Sequence, residues 1–259
     1  MTSIGKARRL SRLFGRPSGN LLCIPIDHGM QVGAIDGLED MECLISQIAE
    51  GGANSVIVNP GTLRRFHASL ARIPTIIMRL DQTTMWRVGS PYGYPGTYTR
   101  QIASVQEAVE LGADAVITYL FTCNSDPQEE TRCFDINAQV AHECNKFGMP
   151  HVIEAMAANG GFASAEDPIL VKMNCRIASE LGADIVKTDW CGANGIKEVA
   201  QTCLAPVCVA GGAKEGSIDN LIETARLSYE NGARGIFFGR NVFQRSAVAD
   251  TIRKIGAAI

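Results

Sequence analysis

The sequence predicts a closed (β/α)8 barrel forming a single domain over residues 1–259, and three observations lead there. Short apolar segments recur eight times along the chain, and amphipathic stretches lie between them. Four of the segments follow the same glycine-led turn: Gly52-Ala53-Asn54, Gly112-Ala113-Asp114, Gly182-Ala183-Asp184 and Gly232-Ala233-Arg234. A glycine there takes the left-handed conformation that ends a helix before the chain enters the sheet. The segments are apolar throughout rather than alternating, which suits strands covered on both faces of a parallel sheet. An open doubly wound sheet is the alternative, but eight strands with intervening helices favour closure.

Taken in order, Ser3 to Phe14 reads as an additional helix capping the N-terminal face of the barrel. Strands follow near Leu21 to Ile26, Ser55 to Val58, Thr75 to Arg79, Ala115 to Tyr119, His151 to Glu154, Ile185 to Thr188, Val207 to Ala210 and Gly235 to Phe238. Asp167 to Leu181 is one of the intervening helices. After the third strand comes a long connection, Gln82 to Arg100, with Trp86, Arg87, Tyr92, Tyr94 and Tyr98 set among glycines and prolines. A connection of that length reads as a lid or binding loop, a cover for the barrel, or a subunit interface.

With 259 residues, 46% of them apolar and 20% charged, the chain can bury a large core. A formal charge of -3 and a pI near 5.8 give no basic surface for nucleic acid. No apolar run approaches the roughly 20 residues that a membrane helix needs, and no signal-peptide core stands at the N-terminus. The expectation is a cytoplasmic protein acting on a small molecule. The nine cysteines form no CxxC pair and no Cys/His cluster at zinc spacing. Cys23 and Cys208 in strands and Cys175 in a helix read as small apolar side chains, and Cys191 as a bystander beside the sixth strand.

In a barrel, chemistry gathers at the C-terminal ends of the strands. The first strand ends in Asp27-His28-Gly29, two ionisable residues where packing asks for none, so Asp27 is a catalytic or substrate-binding candidate. His28 is either a second candidate or a satisfied structural histidine. Tyr119 ends the fourth strand as a proton donor or an amphipathic rim residue. Glu154 ends the fifth, with Asn159-Gly160-Gly161 beyond.

Lys187, near the end of the sixth strand, is the strongest candidate. Burial disfavours an ammonium and leaves a neutral amine able to attack a carbonyl and form a Schiff base. The bland alternative is a buried salt bridge to Asp27 or Glu154. After the seventh and eighth strands come Ala210-Gly211-Gly212-Ala213-Lys214 and Gly239-Arg240-Asn241. Glycines at these two ends let backbone N–H groups approach a phosphate, and Arg240 and Lys214 add charge.

Together, Ile26-Asp27-His28-Gly29, Ile185-Val186-Lys187-Thr188, Ala210-Gly211-Gly212 with Lys214, and Gly239-Arg240-Asn241-Val242-Phe243-Gln244 resemble the archaeal-type class I fructose-bisphosphate aldolases. That family includes the aminodideoxyheptulosonate synthases and the autoinducer-2 processing aldolase-like thiolase, and the resemblance covers nearly the whole chain. It implies a TIM barrel assembled as a homo-oligomer, often a decamer, using neither metal nor cofactor on a sugar phosphate. It also implies Lys187 as the Schiff-base lysine, Asp27 as the carboxylate near the reacting carbons, and Gly211, Gly212, Gly239 and Arg240 at the phosphate. The family's fifth strand carries an acid/base tyrosine, whereas here the matching stretch is Val152-Ile153-Glu154-Ala155-Met156-Ala157-Ala158, with Met156 at the tyrosine position. A thioether transfers no proton, so that work passes to Glu154 first, or to Tyr119, Tyr94 or His28. The implied activity is carbon–carbon cleavage or formation in a phosphorylated ketose other than fructose bisphosphate. Thiolase-like acyl or ketol transfer is the alternative, and a non-catalytic sugar-phosphate binder is a third reading.

Overall fold

A computed structural model describes residues 3–158, 166–212 and 216–259. Eight parallel strands close into a barrel: β1 (Leu21–Pro25), β2 (Ser55–Val58), β3 (Thr75–Arg79), β4 (Ala115–Thr122), β5 (His151–Ala157), β6 (Ile185–Thr188), β7 (Val207–Ala210) and β8 (Gly235–Phe237). Each strand pairs with the next in sequence, and β8 closes on β1. The sheet is therefore the closed one of the two that the sequence allows. Strands β4 and β5 run further than the apolar pattern suggests, because their pairing continues to Thr122 opposite Ala157. Strands β1 and β8 each stop one residue sooner.

The four recurring glycines do what the sequence asks of them. Gly52, Gly112, Gly182 and Gly232 have φ of 81°, 78°, 98° and 97°, and they lead into β2, β4, β6 and β8. Side chains alternate along a strand, so each strand sends one set inward and one outward. The inward set includes Cys23, Ile57, Ile77, Ile117, Val152, Ile185, Cys208 and Phe237, packed as one buried cluster inside the barrel. The outward set, with Ile24, Val56, Met78, Val116 and Ile236, packs against the helices.

Two residues beyond the inner cluster, toward the C-terminal ends, the inward positions become polar. Ile77 leads to Arg79, Ile117 to Tyr119, Val152 to Glu154 and Ile185 to Lys187. The strand pleat thus places an apolar floor and a polar rim on the same four strands, β3 to β6.

The floor is sealed by the N-terminal helix, Ile4–Leu13, whose N-cap Ser3 accepts a hydrogen bond from the Lys6 amide. Leu13 is fully buried against the inner cluster, with Leu10 and Phe14 beside it. Lys6 reaches Asp184 at 2.9 Å and Asn145 at 2.8 Å. Asp184 also accepts from the backbone N–H of His151, joining the starts of β5 and β6.

The Gln82 to Arg100 connection holds more structure than its glycines and prolines suggest. Asp81–Thr83 pairs antiparallel with Thr99–Gln101, and a 3-10 turn spans Met85–Arg87. Asp81, Thr83 and Thr99 are buried, whereas Arg100 is exposed. Tyr92, Tyr94 and Tyr98 are exposed on this hairpin, and Trp86 is turned back over the barrel mouth.

All nine cysteines are free, and Cys23, Cys175 and Cys208 are buried. Among the described residues no helix is long and apolar enough to cross a membrane.

Candidate active site

A cavity of about 580 Å³ opens at the C-terminal face of the barrel. Asp27, His28, Tyr119, Glu154, Lys187, Gly211, Gly212, Gly239 and Arg240 all line it. The sequence candidates Lys214 and Asn159-Gly160-Gly161 lie outside the described residues. Met156 lines the same cavity, so a thioether stands where the resemblance places a tyrosine hydroxyl.

The centre of the cluster is a residue that the sequence reading did not single out. Arg79 is 1% exposed, and its Nε donates to Asp27 Oδ2 at 2.9 Å. Its Nη2 donates to Glu154 Oε2 at 2.6 Å, and Nη1 lies 3.5 Å from Asp81 Oδ1. The guanidinium sits 3.8 Å over the Tyr119 ring, a cation–π contact in a dry setting. Register pairs Glu154 with Lys187 across β5 and β6, and Lys187 Nζ donates to Glu154 Oε1 at 2.5 Å. Glu154 therefore gives one oxygen to the arginine and the other to the lysine. The mark of Arg79 in the sequence is only a charged residue two positions past the apolar Ile77.

Electrostatics follow from this geometry. Burial pushes the Glu154 carboxyl up, but Lys187 and Arg79 outweigh it and hold the group below the usual range. Asp27 behaves alike: burial raises it, and Arg79, His28 and Lys187 bring it down. Burial lowers His28 to about 4 despite Asp27 nearby, so the imidazole is neutral at pH 7. Its ring meets Phe243 edge-on at 5.3 Å, and its buried Nδ1 makes no hydrogen bond. Burial pushes the Tyr119 hydroxyl well above its ordinary value, and its oxygen accepts from Trp86 Nε1 at 3.2 Å.

Two further carboxyls, also missed in the sequence, are raised to about 7. Asp81 is raised by burial, partly offset by Arg79 and by the Tyr119 N–H that its Oδ2 accepts at 2.7 Å. Asp189, beside the lysine strand, is raised by burial and then by Glu154. Asp81 gives a stability prediction. The folded chain keeps that proton up to about pH 7, whereas an unfolded aspartate releases it near pH 4 (about 3.9). The folded state binds more protons between those values, so this residue's contribution falls as pH rises from about 4 to about 7 and is flat above. Asp81→Asn keeps a neutral oxygen acceptor and removes the titration. In urea unfolding, we expect the variant to exceed the wild type by about 1–3 kcal/mol at pH 8 and to match it near pH 4.

The glycine turns across the mouth have steric reasons to be glycine. A Cβ at Gly211 would come within 2.8 Å of the Phe238 ring, and one at Gly239 within 2.8 Å of the His28 ring. Gly212 has φ of 67°. Asn241 Nδ2 donates to Gly211 O at 2.6 Å and fixes the first turn against the second. The Arg240 guanidinium lies 5.9 Å from the Trp86 ring. Behind the first turn a further cavity of about 410 Å³ is lined by Asp189, Asn220 and Thr224. Among the described residues no group of three or more His, Cys, Asp or Glu is placed to hold a metal ion. Cys191 is half-buried, its thiol pushed up to about 11 by burial and then Asp189, which leaves it a poor nucleophile.

Fold and rim together define a (β/α)8-barrel protein with a lysine, an arginine and several carboxyls buried in one well at the catalytic face. The family model described as DeoC/LacD family aldolase matches residues 21–245. The chain belongs to that aldolase family. It is 32% identical, over 100% of its length and 93% of the relative's, to a 2-amino-3,7-dideoxy-D-threo-hept-6-ulosonate synthase of Halobacterium salinarum. It is 26% identical to a 2-amino-4,5-dihydroxy-6-oxo-7-(phosphonooxy)heptanoate synthase of Streptomyces griseus, over 95% of this chain and 88% of the other. In fold it matches an archaeal fructose-1,6-bisphosphate aldolase solved with its catalytic lysine covalently bound to the carbinolamine intermediate. That match has a TM-score of 0.87 at 24% identity, covering 98% of this chain and 99% of the other.

Proposed function

We propose that the protein is a class I aldolase in which Lys187 forms a Schiff base with the ketone of a phosphorylated substrate. The observation that carries this reading is the placement of Lys187 Nζ in the cavity at the barrel mouth, 2.5 Å from Glu154 Oε1. Attack on a carbonyl needs the neutral amine, and the Glu154 carboxylate holds that nitrogen in the cavity. The phosphate group of the substrate lies against Gly211, Gly212, Gly239 and Arg240, with Lys214 as a further cation. The iminium then acts as an electron sink for breaking or making the bond at the adjacent carbon, beside Asp27. Glu154, deprotonated by its pairing with Lys187 and Arg79, does the proton transfers that a tyrosine would otherwise do, since the Met156 thioether transfers no proton. Tyr119, its hydroxyl held by Trp86, serves chiefly as the platform under Arg79.

Incubation with dihydroxyacetone phosphate and sodium borohydride, followed by peptide mass analysis, tests the proposal. The expected result is a reduced adduct on Lys187; an unmodified Lys187 with every ketone phosphate tried would sink it. A second reading, lysine-dependent acyl or ketol transfer to another acceptor, draws on the same Met156 position. Turnover that depends on coenzyme A would favour it.

A further inference from the structure

We infer that Asp189 is a catalytic acid of this site, giving its proton to the substrate oxygen that leaves as water when Lys187 becomes a Schiff base. This rests on the Schiff-base reading above and adds a second proton-transfer group to it. Lys187 reaches the well from β6. Side chains alternate along an extended chain, and Asp189, two residues further on, lines the same well. It is half-buried, and among the described residues no hydrogen bond or ion pair ties its carboxyl.

That sets it apart from the other carboxyls of the rim. Asp27 is held by Arg79, and Glu154 is shared between Arg79 and Lys187. Both are held below the usual range, so they can take a proton but bring none to the first step. Burial, then Glu154, raises Asp189 to about 7, so near neutrality it carries the proton that they lack. The groups acting on it directly are Lys187 on its own strand, Glu154 of β5, Glu166 ahead of the helix Pro168–Glu180, and the Cys191 thiol. Lys187 alone among these favours ionisation, and burial with the two carboxyls outweighs it. Asp27, His28, Arg79 and Arg240 stand elsewhere around the well, while Ala210 and Gly211 at the end of β7 carry no charge. Tyr119 and His28 are poorer donors, the hydroxyl being pushed well above its ordinary value and the imidazole being neutral.

The step balances within the site. The Lys187 amine bonds to the ketone carbon, the nitrogen loses a proton and the oxygen gains one, giving a carbinolamine. Asp189 protonates the carbinolamine hydroxyl, the C–O bond breaks to release water, and the nitrogen lone pair forms the C=N bond. The aspartate left behind is a counter-charge for the iminium. Solvent returns its proton, and Asp189 also lines the cavity of about 410 Å³ behind the first glycine turn, a second face for that exchange. In the closing hydrolysis the carboxylate takes a proton from the attacking water.

The test mixes the protein with dihydroxyacetone phosphate, quenches at intervals with borohydride and measures the reduced Lys187 adduct by mass. Near pH 6, Asp189→Asn should form that adduct about 100-fold more slowly than wild type, with the half-saturating concentration unchanged. An acid titrating at about 7 is spent in the wild type at about pH 8.5, so there the deficit should shrink to about fivefold or less. Quenched without borohydride, the variant should accumulate the carbinolamine, heavier than the iminium by one water. Loss of a negative charge beside Lys187 would by itself favour the neutral amine, so slower trapping is not a side effect of charge. Asp189→Ser is read in the same way should the asparagine form fail to fold. A folded variant that traps at the wild-type rate near pH 6, or with one deficit at both pH values, overturns the inference while a marked wild type keeps the Schiff-base reading. An unmarked wild-type Lys187 removes both.

Discussion

Lys187→Met is expected to lose turnover by a factor of about 10⁴ or more and to lose the borohydride-dependent adduct. The same change takes one cation from Glu154 while Arg79 still holds the other oxygen. Removing one partner of a buried pair costs about 3 kcal/mol, so the melting temperature should also fall. Lys187→Arg separates the two effects. It keeps a cation beside Glu154 and so most of the stability, but a guanidinium that stays protonated cannot attack a carbonyl. A nucleophilic role predicts two inactive variants of which only the methionine form is clearly destabilised. A purely structural salt bridge predicts that the arginine form works, and steady-state rates with thermal melts decide between them.

Arg79 carries the second large effect. Arg79→Met leaves the buried carboxylates of Asp27 and Glu154 without their shared partner, and urea unfolding should register a loss of about 3–5 kcal/mol. Because Arg79 helps hold both carboxyls below their usual range, its removal raises them. The acid limb of the kcat/KM profile should then move to higher pH, an effect that simple loss of packing would not produce. Arg79→Lys restores a charge but not the forked geometry, and should recover part of the stability with the limb in an intermediate position. An Arg79→Met protein of wild-type stability with an unmoved limb would refute a central role for this residue.

Much of the barrel was legible because its signals are local. Gly52, Gly112, Gly182 and Gly232 announce helix ends whatever they pack against, and continuous apolar strands announce burial on both faces. Lys187 and Asp27 stood out for the same reason: each interrupts a run that packing would keep apolar. Arg79 did not, because at the end of Thr75–Arg79 it reads as the polar residue that closes a strand. Only the barrel's closure shows that its position points inward, to carboxylates 52 and 75 residues away in sequence. Asp81 and Asp189 were hidden likewise, since a carboxyl's burial depends on the neighbouring strands. The hairpin inside Gln82 to Arg100 was masked by its glycines and prolines, which look like loop until Asp81–Thr83 finds Thr99–Gln101.

The helix that plugs the barrel floor has a consequence for how the chain is made. Lys6 and Arg9 bond to Asn145 and Gly148, each across a sequence separation of 139 residues, and Lys6 also pairs with Asp184. Arg12 pairs with Asp114. During synthesis Ile4–Leu13 precedes its partners, which fall between Asp114 and Asp184, by about a hundred residues or more. Ten residues with no docking surface make a marginal helix in water. This helix is therefore among the last elements to settle, and it does so only once the strand that bears Lys187 has been threaded into place.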